Sequence, residues 1–149
     1  LKALALIALA LVPAGCTSGA PAPAPLDTRN EACASCRMAV SDARFAAQVV
    51  APGEVPRFFD DLGCLAAYLR SGAAPAQATA FVADHRTRAW VRAEVAVYTR
   101  VPALSTPMAS HLIAHADAAS RDQDDAARGG TAVAARELFP PAAPAGSPR

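Results

Sequence analysis

The sequence predicts an α+β protein made of two small, similar ββαβ-type units in tandem. Three observations lead there. The apolar residues alternate with period two over short runs of four to ten residues, as half-buried strands do. One stretch carries apolar residues at helical spacing behind a pair of aspartates. The order strand, strand, helix, strand can then be read twice along the chain. The length of 149 residues suits one ordinary domain or two very small ones. Much of the 53% hydrophobic content is Ala, and only five Phe, two Tyr and one Trp serve as large anchors, so the expected core is modest.

The first unit is assigned to 31–86. Phe45-Ala46-Ala47-Gln48-Val49-Val50 reads as a strand with Phe45, Ala47 and Val49 on one face. Ala51-Pro52-Gly53-Glu54 is a turn, and Val55 to Phe59 is the return strand of a hairpin. Asp60 or Asp61 caps a helix whose buried stripe is Leu62, Leu65, Ala66 and Leu69, with Cys64 and Tyr68 on another face. Ser71-Gly72 ends it, and Ala80 to Asp84 is the next strand.

The second unit is assigned to 87–139. Trp90 to Thr99 alternates as one strand, with Val91, Ala93, Val95 and Val97 on one face. Leu104 to Met108 is a loop and His111 to His115 a second strand. Asp117 to Arg128 is a weak helix, capped by Asp117 and stopped by Gly129-Gly130. Thr131 to Arg136 is the last strand.

Both flanks differ from this pattern. Residues 1–15 are an apolar run closed by small residues, too short for a bilayer span, and read as a signal peptide. Pro13-Ala14-Gly15 directly before Cys16 resembles a bacterial lipoprotein signal, with Cys16 as the lipidated residue. Residues 16–30 are a Pro/Ala-rich tether, because proline favours extended chain. Residues 140–149 read as a disordered tail. The expected location is extracytoplasmic: lipid-anchored and facing the periplasm, on the outer membrane in a Gram-negative cell.

A formal net charge of +1 with no basic stripe argues against a nucleic-acid surface. There is no phosphate loop and no nucleophile triad, and helix capping accounts for Asp60-Asp61, so no catalysis is expected. The chemistry lies in sulfur. Cys33-Ala34-Ser35-Cys36-Arg37-Met38 places two thiols and a thioether within six residues, in a chain with four Cys and two Met. Thiolate and thioether together select Cu(I) over hard cations. In extended chain, Cys36 and Met38 point the same way. Met108, in the Pro-bearing loop Thr106-Pro107-Met108, would complete a trigonal site, with His111 as a substitute or fourth donor. Cys33 is either an extra donor or a disulfide partner of Cys64. Two other readings stay open: a CxxC thiol oxidoreductase, and a zinc- or disulfide-stabilised binding module, for which Cys64, His85, His111 and His115 are the remaining donors.

Cys36-Arg37-Met38, Phe58-Phe59-Asp60-Asp61-Leu62-Gly63-Cys64-Leu65-Ala66-Ala67-Tyr68-Leu69, Phe81-Val82-Ala83-Asp84, Trp90-Val91, Ala93-Glu94 through Ala96-Val97-Tyr98 and Thr106-Pro107-Met108 together resemble the NosL family. These are lipoprotein copper chaperones associated with maturation of nitrous oxide reductase. The resemblance covers most of residues 33–138. It implies two similar α+β units, Cu(I) as cargo, and delivery towards the reductase's copper centre, directly or through its maturation machinery. Matched residue by residue, it points to Cys36, Met38 and Met108 as ligands. It leaves Cys33 and Cys64 variable, a homodimer open, and Arg37 where the family pattern often has Gly.

Overall fold

Two antiparallel sheets and a few short helices make up residues 21–139, the part of the chain described by the structure, a computed structural model. The expected signal peptide, the lipidated Cys16, the start of the tether and the 140–149 tail lie outside the described residues. Among the described residues, no helix is long and apolar enough to cross a membrane. The α+β class expected from the sequence is what the chain adopts.

The first sheet contains β1 (Ala47–Val50), β2 (Arg57–Phe59), β3 (Thr79–Ala83) and β4 (Trp90–Arg92), in the order β2-β1-β3-β4. Ala47 pairs with Phe59 on one side and with Val82 on the other. Between β2 and β3 lies α1 (Leu62–Arg70), capped by Asp61, whose side chain accepts from the Gly63 N–H at 2.6 Å. Leu62, Leu65 and Ala66 are buried, and so are Cys64 and Tyr68, so the helix is covered on two faces. The second sheet contains β5 (Val97–Arg100), β6 (Leu112–His115) and β7 (Thr131–Val133), in the order β6-β5-β7. Helix α2 (Ala118–Asp122) and a 3-10 turn at Asp125–Ala127 fall between β6 and β7, and α3 (Ala135–Leu138) ends the described chain.

One core joins the sheets. Phe59, Leu65 and Val82 from the first half are continuous with Tyr98, Leu112, Ala114 and Leu138 from the second. The His85 N–H donates to the Ala114 carbonyl at 2.8 Å. Asp84 is fully buried and accepts four hydrogen bonds, from the N–H groups of Arg86, Thr87 and Ala116 and from the Ser120 hydroxyl. It ties the turn after β3 to the start of α2.

Three element assignments change. The single strand over Trp90–Thr99 is two strands separated by a turn, in which the Val95 and Ala96 N–H groups both donate to the Arg92 carbonyl. The Tyr98 hydroxyl pins that turn by donating to the Ala93 carbonyl at 2.6 Å. The inserted turn has an even number of residues, so the alternation runs through it unbroken. The helix over Asp117–Arg128 divides after Asp122, because the Asp124 side chain starts the 3-10 turn by accepting from the Ala126 N–H. The last strand stops at Val133, and the chain turns into α3, which buries Leu138.

Part of the Pro/Ala segment is docked on the first sheet. The fully buried Gln48 side chain accepts from the Ala24 N–H at 2.8 Å and donates to the Ala24 carbonyl at 3.1 Å. Leu26 packs against the core alongside.

Candidate metal centre

The chain from Glu31 to Val40 doubles back on itself. The Val40 N–H donates to the Glu31 carbonyl, and the Cys33 N–H to the Met38 carbonyl at 2.7 Å. The tip is closed by the Arg37 N–H, which donates to the Cys33 carbonyl at 3.0 Å and requires Arg37 to adopt φ +69°. That left-handed conformation costs a non-glycine residue about 1 kcal/mol. It turns the chain so that sulfur faces backbone N–H groups: Cys33 Sγ accepts from the Cys36 N–H at 3.5 Å, and Cys36 Sγ accepts from the Met38 N–H. Both thiols are therefore oriented by the loop's own backbone. The Cys33–Cys36 pair sits in this turn and not at the start of a helix.

Cys33, Cys36 and Cys64 are free thiols, and their sulfurs lie with an Asp60 oxygen within 4.8 Å of one another. This Cys/Asp cluster has the donor number and spacing to hold a metal ion. Cys33 is fully buried under the loop, Cys64 is buried in the first turn of α1, and Cys36 is half-buried between them and solvent. The Cys36 thiol donates to both Asp60 oxygens, at 3.4 and 3.3 Å. Burial is the main force raising the Cys36 thiol above its ordinary pKa; the neighbouring Cys33 and Asp60 raise it further, against the Met38 N–H. Burial, with Cys33 and Asp60, also pushes the Cys64 thiol far up. Without an ion the Cys36 and Cys64 thiols thus keep their protons at neutral pH, and a bound metal takes the place of those protons.

The methionines lie at the surface. Met38 and Met108 are 56% and 44% exposed, an unusual position for apolar side chains with a core close by. Met108 is fixed through its backbone, whose N–H donates to Asp61 Oδ2 at 3.0 Å. Asp61 is fully buried; its other oxygen caps α1, and the hydroxyls of Ser110 and Thr106 also bond to it. Adjacent carboxylates therefore serve adjacent tasks. Asp61 anchors the Met108 loop to the helix that carries Cys64, and Asp60 faces the Cys36 thiol. His111 is half-buried, with Nδ1 donating to the Leu104 carbonyl of its own loop at 2.8 Å, and it is not part of the Cys/Asp cluster.

Asp60 is the member that sequence reasoning passed over. One capping carboxylate suffices for a helix, so the second of an adjacent pair, buried ahead of α1, needs another partner. That surplus was the available signal. No protein-family model, no curated protein and no solved structure matches the chain.

Proposed function

We propose that the protein is a membrane-tethered Cu(I) metallochaperone, extracytoplasmic and lipid-anchored, that delivers copper for assembly of the nitrous oxide reductase copper centre, as the resemblance to the NosL family implies. The observation that supports the reading is that Cys36 and the backbone of the Met108 loop are each tied to one of two adjacent carboxylates, Asp60 and Asp61. Cys36 meets Asp60, while Asp61 holds the Met108 loop. Cys36, Met38 and Met108 form the exchangeable ligand set. Cys33 and Cys64 are reserve donors beneath it, and His111 stays with its own loop.

Charge supports Cu(I). One thiolate and two neutral thioethers bring a monovalent ion to net zero, which suits a half-buried site. Exposure supports delivery, since an acceptor can reach the thioethers without opening the core. The strand orders also support two similar ββαβ units: β1 lies between β2 and β3, with β4 added at the edge of that sheet, and β5 lies between β6 and β7, with a helix after β2 and after β6.

Competition with a Cu(I) chelator under reducing, anaerobic conditions tests the assignment. Cys36→Ser and Met108→Ala each weaken Cu(I) binding by at least tenfold while the fold survives; unchanged affinity in both variants rejects it. A second reading, a structural zinc module, is favoured by the three thiols and the carboxylate of the buried cluster. It predicts unfolding that depends on zinc, and indifference to Met38 and Met108.

A further inference from the structure

His85, His115 and Asp124 form a second cluster, remote in sequence from the sulfur loop. Three different elements supply it: the turn after β3, the end of β6, and the residue that starts the 3-10 turn. Their donor atoms lie within 4.8 Å of one another. One oxygen, Asp124 Oδ2, faces both rings, at 2.6 Å from His85 Nδ1 and 2.9 Å from His115 Nε2. The groups are held in place from behind. Asp124 Oδ1 accepts from the Ala126 N–H, the His85 backbone is tied to Ala114, and the His85 ring lies 5.2 Å from that of Phe45. His115 is fully buried and His85 is 5% exposed.

Among the described residues, the buried side-chain polar atoms without a hydrogen-bond partner are His85 Nε2, His115 Nδ1 and Thr99 Oγ1. Thr99 pairs with Ile113 and Val97 with His115, so Thr99 and His115 share a face of the second sheet. His85 Nε2 and His115 Nδ1 are the ring nitrogens turned away from Asp124, each a buried polar atom still open to a partner such as a water. A cavity of about 270 Å³ adjoins it, lined by Asp124 and Thr99. Arg121 and Arg128 also border that cavity, but each is paired, with Asp122 and Asp125, both at 2.7 Å.

We infer that His85, His115 and Asp124 form a second metal site, for zinc or an ion of its type, with a water from the cavity in the fourth position. Two imidazoles and a carboxylate are borderline donors that suit Zn(II); Cu(I) prefers the sulfur loop, and calcium needs more oxygens. In the metal-free chain both rings donate to Asp124 Oδ2, which places their protons on His85 Nδ1 and His115 Nε2. On loading, those nitrogens turn lone pairs to the ion and the protons move to His85 Nε2 and His115 Nδ1. The tetrahedral edges of a zinc site are roughly 3.3 Å, so loading widens the two contacts by about half an ångström. The site is independent of the copper reading.

The test uses the full chain carrying Cys36→Ser and Cys64→Ser, so that no thiol pair competes for zinc. Zn(II) is added, excess is removed by gel filtration, and retained metal is examined by X-ray absorption at the zinc edge. The expected result is one zinc per chain with nitrogen and oxygen neighbours and imidazole outer-shell scattering, lost when Asp124→Asn or His115→Gln is added. No retained zinc, or zinc with a sulfur neighbour that survives Asp124→Asn, overturns the proposal. If the double cysteine variant does not fold, the wild-type chain and Asp124→Asn alone are compared. One zinc fewer per chain in Asp124→Asn upholds the site, and equal zinc content rejects it.

Discussion

Replacing Asp61 by Ala should couple a stability loss to a loss of copper affinity. The side chain is fully buried, caps α1 through Gly63 at 2.6 Å, and receives the Met108 N–H at 3.0 Å. Removing a cap of this kind costs about 1 kcal/mol. Leaving the Met108 N–H without its ionised acceptor costs about 1.5–3 kcal/mol more. The expected destabilisation is about 2.5–4 kcal/mol, a fall in Tm of about 10–20 °C for a domain of this size. Because the same carboxylate fixes the loop bearing Met108, Cu(I) affinity should drop about tenfold, equivalent to about 1.4 kcal/mol. Asp61→Asn falls between: its amide oxygen still accepts from Gly63, but its NH2 group faces the Met108 N–H. Calorimetry and chelator competition read the two effects. A Tm within about 3 °C of wild type, with unchanged copper affinity, would refute the idea that Asp61 joins helix and loop.

Two further outcomes follow from single residues. Burial works to raise the Asp84 carboxyl, but the Ala116 N–H, the Ser120 hydroxyl and the Thr87 N–H outweigh it and hold the group well below its ordinary value of 3.8. The unfolded chain therefore takes up the proton first as pH falls. The stabilisation is complete above about pH 5 and is lost as pH drops through the folded value. Asp84→Asn should cost about 2–3 kcal/mol at neutral pH, and less near the bottom of that range; urea unfolding showing the same difference at both extremes counts against this account. Arg37, at φ +69°, should gain about 1 kcal/mol on replacement by Gly, with Cu(I) affinity unchanged. A lower melting temperature would contradict it.

How far the fold could be read from the sequence depended on the element. The β1–β2 hairpin and α1 were legible because turn, cap and apolar stripe agree there. The break between β4 and β5 was not, because a four-residue turn leaves the parity of alternation intact, and the bonds that mark it, from Tyr98 to Ala93 and from Val95 and Ala96 to Arg92, end on backbone carbonyls that residue pattern does not reveal. The division after α2 was equally hidden, because Asp124 is drawn to two histidines that are distant in sequence or in a different element. At the sulfur loop, residue types singled out Cys33, Cys36 and Met38 together. The position of Cys33 and Cys64 beside Asp60 depends on the docking of α1 beneath the loop, a tertiary fact that spacing does not encode.

The central claim is a soft, sulfur-based Cu(I) site. X-ray absorption at the copper edge, on protein loaded anaerobically with one equivalent of Cu(I), tests it most directly. The account predicts a low-coordinate copper with sulfur neighbours alone, one of them lost in Met108→Ala and another in Cys36→Ser. A shell containing imidazole nitrogen, or a sulfur shell unaffected by either substitution, would contradict it.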